Sequence, residues 1–128
     1  MEDEEVWHVG EVRIQTPKGP RVIAGWLWKC WGLDFRVYAD DDDVLQPGWS
    51  ITHLPSGMAA GAVMEDLRTA QQIVAEYDAI GNWNFPGIKP PANISKGVKA
   101  LREKYGDVLR FQPAHYHSLF TYVGSSDA

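Results

Sequence analysis

The chain has 128 residues, of which 45% are hydrophobic and 23% charged, so it is long enough and apolar enough for one compact domain. The composition excludes a largely disordered chain, and no stretch approaches the roughly 18 apolar residues of a membrane span or has the pattern of a signal peptide. The lone cysteine, Cys30, excludes an internal disulfide and fits a reducing compartment. We therefore expect one cytoplasmic domain over residues 1–128, with an acidic tail at 1–5 and a frayed end at 124–128.

The net charge of −5 conceals two unlike parts of the chain. Residues 1–88 carry 14 acidic and 6 basic side chains, whereas residues 89–128 carry 3 acidic and 6 basic ones. Part of the acid lies in two runs, at residues 2–5 and in the sequence Asp40, Asp41, Asp42 and Asp43. Repulsion between like charges disfavours regular structure in such runs, so we expect both to be solvated.

The first third of the chain has the pattern of strands. Residues 6–16 alternate with a period of two, and residues 17–20 combine proline and glycine as a turn does. Residues 21–39 are rich in aromatic and β-branched side chains, interrupted by Gly25 and Gly32. Either two strands meeting near Gly32 or one long strand bent by a bulge accounts for these glycines.

The middle of the chain predicts a hairpin followed by a helix. Pro47 and Gly48 indicate a turn, residues 49–54 alternate as a strand, and a second turn at residues 55–57 precedes a returning strand at 58–63. From residue 66 to residue 80 the apolar positions recur every three or four residues, as in an amphipathic helix. Asp66 is suited to cap the start of this helix and Gly81 to end it.

The last third predicts a second helix and a final extended segment. Residues 82–93 contain too many prolines and glycines for regular structure, but their aromatic residues should pack on the core. A helix is expected from Ile94 to about Tyr105, with Ser95 as its N-cap and Gly106 at its end. Residues 108–123 suit a last strand. Strands followed by helices indicate an α+β fold, an antiparallel sheet of about four to five strands with two helices packed on it.

No arrangement of residues indicates a specific catalytic chemistry. His115 and His117 could bind a metal together with His53, but this spacing is weak evidence. Ser56 lacks the glycine context of a hydrolase nucleophile, and Cys30 within an aromatic strand is typical of an inert thiol. We therefore expect no enzyme activity, no resident metal and no cofactor.

Two sets of residues predict binding surfaces. The second helix carries basic side chains that could contact phosphates, although a pI of 5.2 is unlike that of a dedicated nucleic-acid binder. Trp26, Trp28 and Trp31 lie within six positions. If Trp26 and Trp28 share a face of the sheet, Trp31 falls on the other face unless Gly25 or Gly32 shifts the register. Some indole should then reach the surface and anchor a partner. These residues are Lys96, Lys99, Arg102 and Lys104 on the helix, and Trp26, Trp28 and Trp31 in the strands.

One resemblance covers residues 49–85. The run W-S-I-T-H-L-P-S-G at 49–57, a helix over 67–77 and W-N-F at 83–85 together resemble small uncharacterised proteins of phages and other mobile elements. The resemblance implies an origin and carries no catalytic residue. It suggests an inhibitor of a host defence complex, as anti-CRISPR proteins are.

This resemblance leads to a first hypothesis and an alternative. The first is that Asp40 to Asp43 imitate phosphates and bind a host protein complex that itself binds nucleic acid, with possible homodimerisation through exposed aromatic residues. The alternative is a nucleic-acid-binding accessory module that uses the basic second helix.

Overall fold

The computed structural model describes residues 6–16, 18–39, 45–85 and 89–110. They form an α+β fold, as predicted, with six strands rather than four to five, in an antiparallel sheet whose strand order follows the chain. The two helices are α1 (Leu67–Ile80) and α2 (Ala92–Tyr105), and a single 3-10 turn at Gly106–Val108 leads into the last strand. The strands are β1 (His8–Thr16), β2 (Gly19–Trp28), β3 (Trp31–Ala39), β4 (Leu45–His53), β5 (Met58–Val63) and β6 (Leu109–Arg110).

The main core lies between the helices and one face of the sheet. Its largest sheet residue, Trp31, is fully buried and packs edge-on against the Tyr77 ring of α1 at 5.8 Å and the Trp83 ring at 4.6 Å. The predicted packing of the aromatic loop after α1 on the core is therefore confirmed for Trp83. The buried stripe of each helix follows the period that the sequence predicts. These helix residues are Ala70, Ile73, Val74 and Tyr77 of α1, and Ile94 and Val98 of α2.

The β1–β2 hairpin covers part of the opposite face of the sheet. Val12 is fully buried, and a Cβ atom added to Gly32 would lie 2.8 Å from its side chain. Leu27 of β2 pairs with His8 of β1 on one side and with Gly32 of β3 on the other. In a flat sheet the β1 residue nearest Gly32 would therefore be His8, and Val12 would lie far away. The sheet is therefore strongly curled. The curl brings the Gln15 N–H within 2.9 Å of the Gly57 carbonyl in the turn between β4 and β5.

Two strands meet within residues 21–39, which confirms the first of the two predicted alternatives, but their turn lies at Lys29 and Cys30, two residues before Gly32. Trp28 pairs with Trp31 across this two-residue turn. Lys29 adopts the left-handed conformation, with φ of 54°, which such turns often need and which glycine usually supplies. The sequence offered no glycine or asparagine there to mark the turn.

Pro47 and Gly48 lie inside β4, where the sequence predicted a turn. Pro47 pairs with Val37 of β3, and the pairing of β4 with β5 begins only at Trp49. The missing N–H of Pro47 therefore removes no hydrogen bond to β5, which is the situation in which a strand tolerates proline.

The helix boundaries agree with prediction at three of four ends. Asp66 caps α1 by accepting a hydrogen bond from the Thr69 N–H at 2.9 Å, and α1 and α2 end at Gly81 and Gly106. The prediction that Ser95 caps α2 was wrong, because α2 begins at Ala92 with Pro91 as its cap residue. Proline is compatible with a helix start because the first N–H groups have no partner within the helix.

Several predicted features lie outside the described residues: the acidic runs at 2–5 and 40–43, His115, His117, and the last segment beyond Arg110. Within the described ranges no helix is long and apolar enough to cross a membrane.

Candidate binding surface on the hairpin of β3 and β4

The outer part of the β3–β4 ladder projects beyond the rest of the sheet. β2 pairs with β3 only as far as Leu33, and β5 pairs with β4 only from Trp49 onward. Residues 34–39 and 45–48 therefore have only each other as strand neighbours among the described residues. A two-stranded ladder has little stability of its own in water, so this projection depends on its attachment to the larger sheet.

One side of this projection is apolar and exposed. The register places Phe35 opposite Trp49 and Val37 opposite Pro47, and directly opposite residues share a face of the sheet. Phe35 is 54% exposed, Val37 55% and Leu45 67%. We call the surface formed by Phe35, Val37, Leu45, Pro47 and Trp49 the hairpin face. Contiguous apolar side chains exposed in this way are typical of interaction sites.

A groove runs between the hairpin face and the start of α1. It encloses about 520 Å³, and the Phe35 and Trp49 rings meet edge to face in its wall at 5.5 Å. Two acidic residues line it as well. The hydrogen bond from the Thr69 N–H lowers the pKa of Asp66, so its carboxylate is ionised at neutral pH. We call this the hairpin groove; it is lined by Phe35, Gln46, Pro47, Trp49, Met64, Glu65 and Asp66.

The opposite side of the hairpin carries a buried ion pair. The Arg36 Nε atom lies 2.6 Å from one carboxylate oxygen of the fully buried Asp34. Burial raises the pKa of Asp34, and the Arg36 guanidinium partly offsets that effect. Arg36 contacts both carboxylate oxygens of Asp34, and because both residues are on β3 the pair fixes two side chains of one strand.

The residues Asp40, Asp41, Asp42 and Asp43 lie outside the described residues. In the chain they connect Ala39, the last residue of β3, to the region just before Leu45, the first residue of β4. They therefore belong to the connection of the same hairpin that presents the apolar side chains. The sequence pointed to the aspartates but gave no sign of the hairpin face beside them.

The three clustered tryptophans are on one side of the sheet, because Trp28 lies opposite Trp31 and Trp26 lies opposite Leu33. The prediction that Trp31 would face the other side was wrong, since the two-residue turn restores the register. Trp31 is fully buried, Trp28 is 6% exposed and Trp26 is half-buried against the core. Trp31 and Trp28 therefore present almost no surface to a partner.

The four basic residues of α2 do not form one free patch. Lys96 and Lys99 are exposed, whereas Arg102 is half-buried and the Lys104 Nζ atom lies 2.9 Å from a carboxylate oxygen of Glu76 on α1. At 100° per residue the four positions span an arc of about 200° around the helix. The four side chains therefore leave the helix in different directions.

His53, at the end of β4, is fully buried and contacts both the turn after β4 and the loop after α1. Its Nε2 atom lies 2.9 Å from the Trp83 carbonyl oxygen, so Nε2 carries the proton and donates it. Its Nδ1 atom lies 2.9 Å from Ser56 Oγ, and its ring stacks on Phe85 at 5.1 Å. Burial lowers the pKa of His53, which keeps the ring neutral. This geometry holds the turn after β4 against the loop after α1.

Cys30 lies in the turn after β2, not within a strand as the sequence suggested. Burial and the neighbouring Asp78 carboxylate raise the pKa of its thiol to about 11, so the reactive thiolate is scarce at neutral pH. A groove of about 370 Å³ beside it is lined partly by Asp78, whose carboxylate already accepts hydrogen bonds from Lys29 Nζ at 3.0 Å and Trp31 Nε1 at 3.1 Å. The carboxylate of this second groove is therefore less accessible to a partner than the carboxylates of the hairpin groove.

Comparisons with known proteins add no relative. No protein-family model, curated protein or solved structure matches the chain. Among the described residues, no three histidine, cysteine, aspartate or glutamate side chains are grouped so that they could hold a metal ion.

Proposed function

We propose that this protein is a binding module that attaches to a protein complex through the hairpin face, with Asp40 to Asp43 adding electrostatic attraction. In its specific form, the proposal is that the partner is a host complex that binds nucleic acid, and that the protein inhibits it by occupying a basic surface. The observation that carries the proposal is the projecting apolar hairpin face with acidic residues at its side.

The apolar component supports attachment to a protein. Three of the large apolar side chains that are most exposed in the described part of the chain, Phe35, Val37 and Leu45, lie on this one hairpin. Burying each of them against a partner would remove apolar area from water at about 25 cal/mol per Å². Nucleic acid, by contrast, offers mainly phosphate and sugar to most of a binding surface.

The charge supports a basic partner. Glu65 and Asp66 line the groove beside the hairpin face, and four aspartates occupy the connection between its strands. A basic surface would be steered toward this end of the molecule, and the attraction would weaken as salt increases. A basic patch or stripe is the electrostatic footprint of a surface that binds nucleic acid.

The proposal is tested by capture from a bacterial lysate at low and moderate salt, with nuclease-treated and untreated samples run in parallel and the retained proteins and nucleic acids identified. The wild type is compared with a Val37→Ser, Leu45→Ser double variant and with a variant in which Asp40 to Asp43 are replaced by alanine. Because Val37 and Leu45 are exposed, the double variant should remain folded. The matched control is Lys96→Ser, Lys99→Ser on the exposed side of α2.

We expect a protein partner that is still captured after nuclease treatment and is released by salt. The control variant should retain this partner, whereas both hairpin variants should lose it or bind it weakly. A partner retained equally by both hairpin variants would contradict it. Capture of nucleic acid alone, abolished by the α2 control variant, would favour the basic-helix alternative instead. A functional assay of the identified complex, with and without the protein, then tests inhibition.

A further inference from the structure

We propose that the hairpin groove is a binding site for an arginine side chain of the partner. This inference rests on the proposed function and specifies the chemistry of its central contact. It follows from an open groove of about 520 Å³ that is lined by two aromatic residues, by Pro47 and Met64, and by two acidic residues.

The aromatic wall favours a flat cation. The Phe35 and Trp49 rings are inclined by 70° with centroids 5.5 Å apart, so they form a corner in which each ring leaves part of its face available. Phe35 is more than half exposed, and Trp49 is half-buried. A guanidinium group stacks on such faces and is attracted by the electron density of the rings, most strongly by that of tryptophan.

The carboxylates supply the opposite charge. Asp66 caps α1 by accepting hydrogen bonds from the backbone N–H and the side chain of Thr69, and its ionised carboxylate adds negative charge to the groove. Glu65 is exposed and, in the described part of the chain, makes no ion pair. The partial positive charge at the start of α1 opposes a cation, but it is equivalent to only about half an elementary charge and faces two carboxylates. Arg68 lies nearby on α1 and does not line the groove.

The remaining lining residues suit the stem of a long side chain. Pro47 and Met64 provide apolar contact for methylene groups, and the flexible thioether of methionine adapts to irregular shapes. Lysine has a similar stem, but its compact, strongly hydrated ammonium neither stacks on a ring nor makes two parallel hydrogen bonds to a carboxylate. The combination of ring faces and carboxylates therefore selects arginine over lysine, and lysine over an uncharged apolar residue.

The test is a titration of the isolated full-length protein with three blocked tripeptides, Gly-Arg-Gly, Gly-Lys-Gly and Gly-Leu-Gly, followed by NMR through the indole N–H of Trp49. The arginine peptide is expected to shift this resonance at lower concentration than the lysine peptide, and the leucine peptide is expected to leave it unchanged. Glu65→Gln should weaken arginine binding about two- to fivefold. Glu103→Gln, an exposed substitution on α2, should not change it.

Equal binding of arginine and leucine peptides, equal binding of arginine and lysine peptides, or no shift of the Trp49 resonance with arginine would each overturn the inference. Phe35→Leu keeps an apolar side chain but removes the aromatic corner, so unchanged arginine selectivity in this variant would overturn it too. These results are independent of lysate capture. If the peptide titration shows no arginine binding but the hairpin double variant still loses the captured partner, the arginine site is rejected and the proposed function is retained.

Discussion

The ladder between β3 and β4 has two halves that face opposite environments on the same side of the sheet. In the inner half, Leu33 pairs with Ile51 and Trp31 pairs with His53, and all four residues are fully buried. In the outer half, Phe35 pairs with Trp49 and Val37 pairs with Pro47, and the side chains of Phe35 and Val37 are more than half exposed. The strands run continuously through both halves.

The difference is produced by neighbours, not by the side chains. The inner half is flanked by β2 and β5 and covered by the helices, whereas the outer half extends past the end of the β2 pairing at Leu33 and meets β5 only at Trp49. Apolar residues in the inner half therefore stabilise the fold, and similar residues in the outer half contribute little to it. A surface that contributes little to stability and exposes apolar groups is suited to binding.

The largest effect is expected from truncating the inner half. Leu33→Ala and Ile51→Ala each remove a fully buried side chain, so each should lower the free energy of unfolding by about 2–5 kcal/mol. Urea unfolding followed by circular dichroism measures this change. A loss below about 1 kcal/mol at both positions would mean that the inner half is not part of the core.

The next effect is expected at Gly25, the β2 residue just beyond the last pair between β2 and β3. A Cβ atom at Gly25 would lie 2.3 Å from the Leu33 carbonyl oxygen, which is backbone and cannot move aside without shifting β3. Gly25→Ala should therefore destabilise the protein by about 1–3 kcal/mol, as overpacking does. Ala24→Ser at the neighbouring exposed position is the control, with an unfolding midpoint close to that of the wild type.

A smaller effect is expected from pH at the end of the inner half. Burial lowers the pKa of His53 from its ordinary value of 6.5, so below about pH 6.5 the unfolded state binds a proton that the folded state does not. Stability due to neutral His53 is complete above that pH and falls as pH falls, by at most about 1.4 kcal/mol per pH unit.

The free energy of unfolding, measured between pH 7.5 and 5.5, tests this pH dependence. In the His53→Gln variant it should fall less steeply with falling pH than in the wild type. His8→Gln at an exposed position should keep the wild-type slope. Identical slopes in the wild type and His53→Gln would show that His53 titrates alike in both states, contrary to its burial.

The smallest effect is expected from the outer half. The Val37→Ser, Leu45→Ser double variant should change the free energy of unfolding by no more than about 0.5 kcal/mol per site, because both side chains are exposed. The same urea experiment measures it. A loss as large as that of Leu33→Ala would mean that the two halves of the ladder do not differ as described.

The sequence predicted the helices and strands better than it predicted which elements lie next to each other. The α+β class, the helix over Leu67–Ile80 with its Asp66 cap, and the hairpin around residues 55–57 follow from periodicity and turn residues, which are local properties. The turn at Lys29 and Cys30 was missed because neither residue marks a turn. The strand through Pro47 was missed because proline reads as a break unless the strand's neighbours are known.

The hairpin face was not predictable from the sequence. Asp40 to Asp43 stand out in any sequence but lie outside the described residues, and Phe35, Val37 and Leu45 have the composition of ordinary strand residues. Their exposure depends on where β2, β5 and α1 stop, which is a tertiary property. The sequence likewise did not show that Lys104 of α2 is paired with Glu76 of α1, because that contact is also tertiary.

We propose that a partner binds to the outer half of the β3–β4 ladder. Hydrogen–deuterium exchange of the protein, alone and bound to a partner captured from lysate, shows which backbone amides the partner covers. We expect new protection in residues 34–39 and 45–49, with little change in residues 31–33 and 51–53. New protection confined to residues 96–104 on α2, with the hairpin unchanged, would contradict it.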